Sequence, residues 1–379
     1  MRPWAPLAAA AVLAACAQTG GLADIAPGQR PPPASDEAGL WLVMDRVEAQ
    51  IKTSGRLIRD PALDRYLHGI VCRLVPRHCG DIRIYVVDVP AFNASMAPNG
   101  ALQLWGGTLL RVHDEAQLAY VLGHEVGHFL RRHSLALWRD ARSKSDALVF
   151  VQVATAAAGI GYVGSVAQVI AIGSFFAFSR DNEREADEIG LGLVAAAGYD
   201  ASRAAPIWTA MMAEQKVLGK DEPSLFLATH PAGAERQKTL AALAKRYHGG
   251  ERGRARFLAV VLPLRARLLR QELRKRRFAA TELVLDGLAS DGARPGEIAF
   301  FRAEIRRLRH GEGDAEAAVT LYRLALAGGD APPETYRSLG LVLLSLDRRK
   351  AARDAFEHYL AAVPEAEDRR LIERYLEDL

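Results

Sequence analysis

The stretch from His124 to Ser134, HEVGHFLRRHS, concentrates side chains that could bind a metal ion. On a helix, His124 and His128 are four residues apart, so both imidazoles project from one face towards a common point. Glu125 follows the first histidine, where its carboxylate could reach a water molecule held by that metal. This H-E-x-x-H spacing is the signature of zinc metallopeptidases. The alternative is a solvated helix that happens to be rich in histidine.

A catalytic zinc needs a third protein ligand besides the two histidines, and a position left open for water. His133 does not fit on a continuous helix, because five residues place it about 140° around the axis from His128. No glycine or proline between these two histidines predicts a break. Glu183, in the segment NEREADEIG, is the better candidate, with Asp187 four residues later on the same helical face. A second helix could thus complete a His-His-Glu site.

Two helices must position these side chains. The first begins near Asp114, because an aspartate followed three residues later by Gln117 suits an N-cap with a capping box. Apolar residues then continue at helical spacing, namely Leu118, Val121, Leu122 and Val126. The HEVGH motif therefore lies inside a helix, several turns from its start. The second helix is predicted over SRDNEREADEIG and ends near Gly198.

A small β-sheet is predicted before the motif. The segment DIRIYVVDV alternates apolar and polar residues, which predicts a half-buried strand. The segment AFNASMAPNGALQLWGG predicts a hairpin, because Asn99 and Gly100 form a favourable turn pair. Leu102 and Leu104 fit its returning strand. The predicted fold class is therefore α+β and mainly helical.

HEVGH followed by SRDNEREAD farther along the chain resembles the gluzincin metallopeptidases of the HtpX, BepA and Oma type, in the superfamily of the CAAX prenyl protease. The resemblance implies one zinc ion per chain, with His124, His128 and Glu183 as its ligands. It implies that Glu125 is the general base. Asp187 is then expected to orient one of the ligand histidines.

The resemblance covers roughly residues 41–248 and implies a zincin-like domain over residues 40–248. The segment THPAGAER matches a downstream His-Pro and arginine pair, which gives His230 and Arg236 as catalytic residues. His230 would stabilise an oxyanion or serve as a reversible fourth ligand, although taken alone it suits an ordinary loop histidine. The resemblance also implies an edge strand that receives the substrate backbone, formed by Asn93, Ala94, Ser95 and Met96.

The N-terminus, MRPWAPLAAAAVLAACAQ, predicts a lipoprotein signal peptide over residues 1–15. It ends in LAAC, which resembles a bacterial lipobox with Cys16 as the lipidated residue. Ala17 suggests, by resemblance to lipoprotein sorting, the outer membrane facing the periplasm. The alternative is a signal peptide cleaved elsewhere, with Cys16 incidental. Residues 16–39 are rich in proline and glycine and are predicted to be a flexible tether.

The two other cysteines, Cys72 and Cys79, predict a disulfide, because thiols oxidise in exported proteins. The alternative is a metal-binding pair, but no second pair is present to complete such a site. The formal net charge of +4 is modest. An exported protein meets no nucleic acid, so this charge suits anionic lipid surfaces or solubility.

Residues 147–179 contain no charged side chain and are long enough to span a membrane. A single span there would place His124 and Glu183 on opposite sides of a bilayer, where they could not share one zinc. Two spans would need about 40 residues. We therefore predict a hydrophobic hairpin that is buried in the domain or dips into the membrane surface.

Residues 255–379 are predicted to form tetratricopeptide-like helical repeats. Ala318 and Tyr322 precede Ala352 and Phe356 by 34 residues, the period of this repeat family. Gly340 also fits the pattern, and in BepA-type proteins such repeats likewise follow the peptidase domain. The alternative is an ordinary helical bundle. Stacked repeats would offer a concave face to protein partners.

Together these features predict a lipid-anchored, periplasm-facing zinc endopeptidase. It would hydrolyse misfolded or unassembled envelope proteins by a zinc-activated water, with Glu125 as the base. The alternative is a tetratricopeptide chaperone or adaptor whose peptidase domain is latent or inactive. Glu125 favours the enzyme, since an abandoned protease has no chemical need for it.

Overall fold

The computed structural model describes residues 22–143, 178–219, 224–230 and 234–379. The predicted signal peptide, the lipidation site Cys16 and the apolar stretch as far as residue 177 lie outside these ranges. Within them, none of the helices combines the length and apolar character needed to cross a membrane. The described chain is mainly helical and contains one small sheet, as the α+β prediction required.

The sheet has three strands in the order β1-β3-β2. They are β1 (Arg83–Val87), β2 (Ala94–Met96) and β3 (Ala101–Trp105). Strand β3 pairs parallel to β1 and antiparallel to β2, so the predicted hairpin is confirmed and β2 lies at one edge. Between β2 and β3, Gly100 has a φ of +88° and no room for a Cβ beside the Asp81 carbonyl. Glycine is therefore required at this turn.

Eight helices accompany this sheet in the described part of the first 250 residues. They are α1 (Asp36–Thr53), α2 (Pro61–Leu74), α3 (Glu115–Leu130), α4 (His133–Ser143), α5 (Arg180–Ala196), α6 (Ala204–Leu218), α7 (Leu225–Thr229) and α8 (Ala234–Ala244). The predicted cap of α3 is present: the Asp114 carboxylate accepts the backbone N–H of Gln117 at 2.9 Å. Every residue from Glu115 to Phe129 is buried, so α3 is the central helix of this part of the fold.

Glycines allow α3 and α5 to cross at close range. A Cβ on Gly190 of α5 would lie 2.9 Å from the backbone nitrogen of His124. A Cβ on Gly127 of α3 would lie 3.1 Å from the carbonyl oxygen of Ala186. Such backbone contact holds the HEVGH motif directly against the segment that carries Glu183.

The chain direction changes sharply after the HEVGH motif, where the sequence predicted a continuous helix. Helix α3 ends at Leu130, and Arg132 adopts a left-handed conformation with a φ of +56°. Helix α4 then starts at His133. The break needs no glycine because tertiary contacts hold it: the Arg132 guanidinium pairs with the buried Glu37 carboxylate. The prediction of a continuous helix was therefore wrong.

The C-terminal end of the predicted flexible tether, residues 22–39, is ordered against the domain in the structure. Ile25 is buried in the main core, and its backbone N–H donates to the Leu130 carbonyl at 3.1 Å. Gly28 donates to the Asp81 carboxylate. Helix α1 begins at Asp36. The end of the predicted tether is therefore attached to the domain through Ile25, Gly28 and the start of α1, which the composition did not indicate.

The two remaining cysteines are bonded to each other in the structure. Cys72 lies in α2 and Cys79 in the short 3-10 helix Pro76–Asp81, with their Cα atoms 4.5 Å apart. The His68 ring lies beside both sulfur atoms on the surface side. The cross-link closes the turn that leads from α2 into β1.

The C-terminal part consists of seven helices. They are α9 (Arg254–Arg274), α10 (Phe278–Ser290), α11 (Pro295–Arg309), α12 (Asp314–Ala327), α13 (Glu334–Ser345), α14 (Arg349–Ala362) and α15 (Arg369–Glu377). Consecutive helices pack in pairs, most extensively α11 with α12 and α13 with α14. In the second pair, Gly340 lies against Phe356, whose ring would be 2.5 Å from an added Cβ. The tetratricopeptide interpretation of these helices stays a prediction.

A cluster of buried charges joins α9 to the first half of the chain. Arg111 donates to the Glu214 carboxylate of α6 at 2.6 Å and to Glu272 of α9 at 3.2 Å. Lys275 donates to Glu272 at 2.9 Å and to the carbonyl of Pro90, in the loop before β2, at 2.7 Å. We refer to Arg111, Glu214, Glu272 and Lys275 as the charge cluster. It ties the helical part to the loop that enters the edge strand.

Candidate metal centre

Four buried side chains converge where α3, α5 and the end of α7 meet. His124 and His128 come from α3, Glu183 from the first turn of α5, and His230 directly follows α7. One candidate ligand atom from each lies within 4.8 Å of all the others, and each residue is at most 2% exposed. We refer to these four residues as the metal cluster. Three are the ligands predicted from the sequence, and the fourth is the predicted catalytic histidine.

The facing atoms of the metal cluster compete for the same hydrogen bonds. The Nε2 atom of His124 lies 3.2 Å from Nε2 of His128 and 3.3 Å from Nδ1 of His230. It also lies 3.5 Å from Oε2 of Glu183. An imidazole nitrogen offers either one N–H or one lone pair, so it cannot pair with three polar atoms at once. Hydrogen bonds within the protein therefore leave part of this cluster unsatisfied.

The donor set fits a zinc ion. Imidazole nitrogens and a carboxylate oxygen are ligands that zinc takes in catalytic sites. Oε2 of Glu183 also forms an ion pair with Nη1 of Arg236 at 2.5 Å, which favours the ionised carboxylate. A divalent cation at the shared point would bind the carboxylate and the facing nitrogens together and so end their competition for hydrogen bonds. The metal cluster can thus hold a metal ion.

Two members of the cluster have protonation states suited to metal binding. Burial raises the pKa of Glu183, but the nearby His230 and hydrogen bonds from the two α3 histidines hold that pKa well below its usual range. Burial also drives the pKa of His128 well below its ordinary value. A carboxylate and a neutral imidazole are the forms that bind a metal.

Asp187 supports His124 from behind. Its Oδ1 lies 3.0 Å from Nδ1 of His124 and accepts the Tyr120 hydroxyl at 2.7 Å. Arg236 donates to both oxygens of Asp187, at 2.5 and 2.6 Å, and stacks on Trp208 at 4.0 Å. This position matches the orienting role that the sequence implied for Asp187. Arg236 holds the same carboxylate and also contacts the metal cluster itself, through Glu183 and His124.

The predicted base, Glu125, lies beside the metal cluster. Its side chain is buried, and Oε1 has no hydrogen-bond partner. Nε2 of His230 lies 3.6 Å from this oxygen. Burial raises the pKa of Glu125 above its ordinary value, although neighbouring positive charge opposes the shift. A carboxylate with a raised pKa is a stronger base, and Oε1 has no hydrogen-bond donor that would compete with an incoming proton.

Comparison with known proteins agrees with this geometry. Residues 59–244 match peptidase family M48. The chain carries an M48 peptidase domain. This family assignment confirms the metallopeptidase resemblance inferred from HEVGH and NEREAD.

Three relatives of the M48 domain illustrate the similarity. A putative beta-barrel assembly-enhancing protease of Vibrio cholerae is 26% identical over 51% of this chain and 41% of its own length. The mitochondrial metalloendopeptidase OMA1 of Arabidopsis thaliana is 35% identical over 42% of this chain and 30% of its own. The beta-barrel assembly-enhancing protease of Escherichia coli K12 is 27% identical over 48% and 39%. The chain spans less than half the length of each.

The predicted substrate strand of the M48 domain lies at the sheet edge. Ala94, Ser95 and Met96 form β2, whose pairing within the described residues is with β3. Asn93 immediately precedes the strand and is buried, with its backbone held by the Thr108 hydroxyl at 2.9 and 3.0 Å. Helix α3 packs against this strand. An extended chain could therefore align along β2 close to the metal cluster.

Aromatic rings that the sequence did not single out enclose the metal cluster. Phe178 stacks on His128 with ring centroids 3.9 Å apart. Phe226 stacks on His230 at 4.6 Å and meets Phe92 edge-on at 4.8 Å. These rings hold the imidazoles in place and limit access of water. No spacing rule marks them in the sequence, because they come from three separate segments.

His133 lies outside the metal cluster, as predicted, but it contacts a member. Its Nδ1 lies 2.9 Å from Nδ1 of His128, and its Nε2 lies 3.0 Å from Oε2 of Glu185. The contact depends on the chain break at Arg132, which the sequence did not indicate. A third histidine shortly after the motif was the one signal that could have suggested it.

Proposed function

We propose that the protein is a zinc-dependent endopeptidase that hydrolyses misfolded or unassembled envelope proteins. The convergence of His124, His128, Glu183 and His230, with the buried Glu125 carboxylate beside them, is the observation that carries this proposal. The M48 assignment and relatives named as proteases support it.

In this proposal His124, His128 and Glu183 hold the zinc. When bound, zinc supplies an activated water and polarises the peptide carbonyl. Glu125 accepts a proton at its free Oε1 and returns it to the leaving amine. His230 would donate to the developing oxyanion or serve as a fourth ligand. Asp187 and Arg236 keep the His124 ring in its orientation.

Substrates would bind as an additional strand. The edge position of β2 suits an extended backbone, which forms main-chain hydrogen bonds without requiring a particular sequence. This mode selects segments that are not already folded. Relatives named for beta-barrel assembly support substrates in the bacterial envelope.

The remaining parts of the proposal concern location and partners. Lipidation at Cys16 would anchor the protein to the outer membrane on its periplasmic side. The helices from α9 onward would form tetratricopeptide-like repeats, whose concave face binds protein partners. Nucleic acid has no place in this scheme.

The decisive experiment combines metal analysis with one isosteric variant. The purified protein should contain a single zinc and cleave an unfolded test substrate such as casein. Glu125→Gln should retain the zinc but lose cleavage by about 10²- to 10⁴-fold, the usual contribution of a general base. Equal cleavage by both proteins would contradict the mechanism. If neither cleaves but both suppress aggregation of the substrate, the adaptor hypothesis is favoured.

A further inference from the structure

We propose that His133 is a positioning residue of the metal centre, which accepts the Nδ1 proton of His128 and so directs Nε2 of His128 at the metal. The proposal rests on the proposed zinc site. It assigns a role to a side chain outside the ligand set and outside the reacting groups.

The two nitrogens of His128 face different neighbours. Nε2 lies 3.2 Å from Nε2 of His124 and 3.5 Å from Oε1 of Glu183, so this atom faces the shared point of the metal cluster. Nδ1 lies 2.9 Å from Nδ1 of His133. A neutral imidazole that uses one nitrogen as a ligand carries its proton on the other. His128 must therefore donate from Nδ1, and His133 must accept.

The far side of His133 is consistent with this direction. If Nδ1 of His133 accepts, a neutral ring carries its proton on Nε2 and donates to Oε2 of Glu185, 3.0 Å away. Oε1 of Glu185 in turn forms an ion pair with Nη2 of Arg131 at 2.5 Å. Each donor thus meets an acceptor from the buried ligand to the surface. His133 is 4% exposed, whereas the Glu185 side chain is 40% exposed.

The backbone brings His133 into this position. On an uninterrupted helix its side chain would point about 140° away from that of His128. The left-handed conformation of Arg132 returns the chain, and α4 starts at His133. Leu135 of the same helix is 1% exposed, which anchors the start of α4 in the core. A residue with a Cβ adopts this conformation at a cost, so the surrounding contacts must favour it.

The two ligand histidines of α3 are therefore supported differently. His124 is held by the Asp187 carboxylate, which itself binds Arg236 and Tyr120. Among the described residues, the hydrogen-bond partner of Nδ1 of His128 is His133. Loss of such an outer partner typically weakens metal binding by 10- to 100-fold, because the ligand ring loses its fixed orientation and tautomer.

The test is zinc affinity, measured on the full chain by competition with a chromogenic chelator of known affinity. His133→Phe keeps a ring of similar size but removes the acceptor, and should weaken zinc binding by about 10- to 100-fold. His133→Gln restores an acceptor oxygen and should recover most of the affinity. The visible spectrum of the cobalt-substituted protein should change in the Phe variant and return in the Gln variant.

His78→Phe is the matched control. His78 is also a buried histidine whose Nδ1 lies 3.0 Å from a carboxylate, that of Asp81, but it does not contact the metal cluster. Its replacement should leave zinc affinity and the cobalt spectrum unchanged. If His133→Phe does not fold, His133→Ala provides a smaller replacement and must show the same loss.

The outcomes separate the two proposals. Wild-type zinc affinity together with an unchanged cobalt spectrum in a folded His133→Phe or His133→Ala variant would overturn the role of His133. An equal loss in the Phe and Gln variants would also overturn it, since the acceptor would then not matter. A wild-type protein that binds no zinc would contradict the proposed function itself.

Discussion

The charge cluster and the metal cluster are both made of buried polar side chains, and they are built in opposite ways. In the charge cluster, Arg111 faces Glu214 and Glu272, and Lys275 faces Glu272 and a carbonyl. In the metal cluster, three imidazoles and one carboxylate converge on a shared point. In the first cluster, the positive and negative groups of the protein satisfy one another. In the second, the facing imidazole nitrogens compete for the same hydrogen bonds, so part of the cluster stays unsatisfied.

This difference indicates a structural role for the charge cluster and a binding role for the metal cluster. A buried polar network that satisfies itself holds elements together, whereas one that converges without satisfaction needs something else to bind. The charge cluster joins α9 to α6 and to the loop before β2. The metal cluster joins α3, α5 and α7 around a place for a cation. Four predictions test this contrast.

Arg111→Met should have the largest effect on stability. The Arg111 side chain is 5% exposed and donates to both oxygens of Glu214, whose side chain is 15% exposed, so the variant leaves this mostly buried carboxylate without its hydrogen-bond donor. Removal of one partner of a buried pair typically costs about 3–5 kcal/mol. Denaturant unfolding should show this loss, while zinc affinity stays unchanged.

The control for Arg111→Met is Arg246→Met. Arg246 pairs with Glu188 on the surface, with side chains 64% and 61% exposed. Exposed pairs contribute at most about 1 kcal/mol. Equal destabilisation by the two variants would show that the charge cluster contributes no more than a surface pair.

Metal removal should have the next largest effect, and should act through the metal cluster alone. At a free zinc concentration about 100 times its Kd, binding stabilises the folded state by about 2.7 kcal/mol. A chelator should therefore lower the free energy of unfolding of the wild type by this amount. Glu183→Gln should be insensitive to both zinc and chelator. If the chelator leaves the free energy of unfolding of the wild type unchanged, the metal cluster does not need a bound cation and the contrast between the two clusters is wrong.

Gly190→Ala should have a smaller effect on stability but should also disturb the metal cluster. The new Cβ would lie 2.9 Å from the His124 backbone nitrogen, so α3 and α5 must separate. Overpacking of this kind costs about 1–3 kcal/mol. Gly192→Ala is the control, since the nearest atom to its Cβ is the Tyr247 hydroxyl at 3.5 Å. Zinc affinity should fall in the first variant and stay unchanged in the second.

The smallest expected effect is the pH dependence that the charge cluster gives to the free energy of unfolding. Burial raises the pKa of Glu214, but the hydrogen bond and charge of Arg111 outweigh burial and lower it. Glu214 therefore stabilises the fold above its unfolded pKa of about 4.3, and this stability is lost as the pH falls through the lower folded value. The stability difference between wild type and Glu214→Gln should narrow below about pH 4, with a slope under about 1.4 kcal/mol per pH unit. A difference that stays constant down to pH 2 would exclude this linkage.

The sequence predicted which side chains of α3 and α5 share a face, because spacing rules are local. Two histidines four residues apart share a helical face, and Glu183 and Asp187 follow the same rule on α5. The capped start of α3 and the turn at Gly100 were predictable for the same reason. What brought the two helices together was the resemblance to a family, since no local rule sets the distance between His124 and Glu183.

The parts that the sequence did not reveal depend on tertiary contacts. Arg132 takes a left-handed conformation because Glu37, far away in the sequence, binds its guanidinium. His133 reaches His128 only as a result. Ile25 becomes buried in a segment whose composition indicated a tether. Arg111 and Glu272 gave no signal, because charged residues separated by so many positions pair only in the folded chain.

The attachment of α9 limits how this protein could have changed by recombination. Leu268 fills the space beside Gly106, and Lys275 binds the loop that enters β2. Helix α10 is attached as well, because it packs on α6 and because Gly287 lies against His113. A unit that could be exchanged between proteins would therefore have to begin after α10 and not at the boundary near residue 250. Duplication or loss of the helix pairs beyond α10 would leave these contacts intact, whereas the first two helices of the helical part must remain with the enzyme.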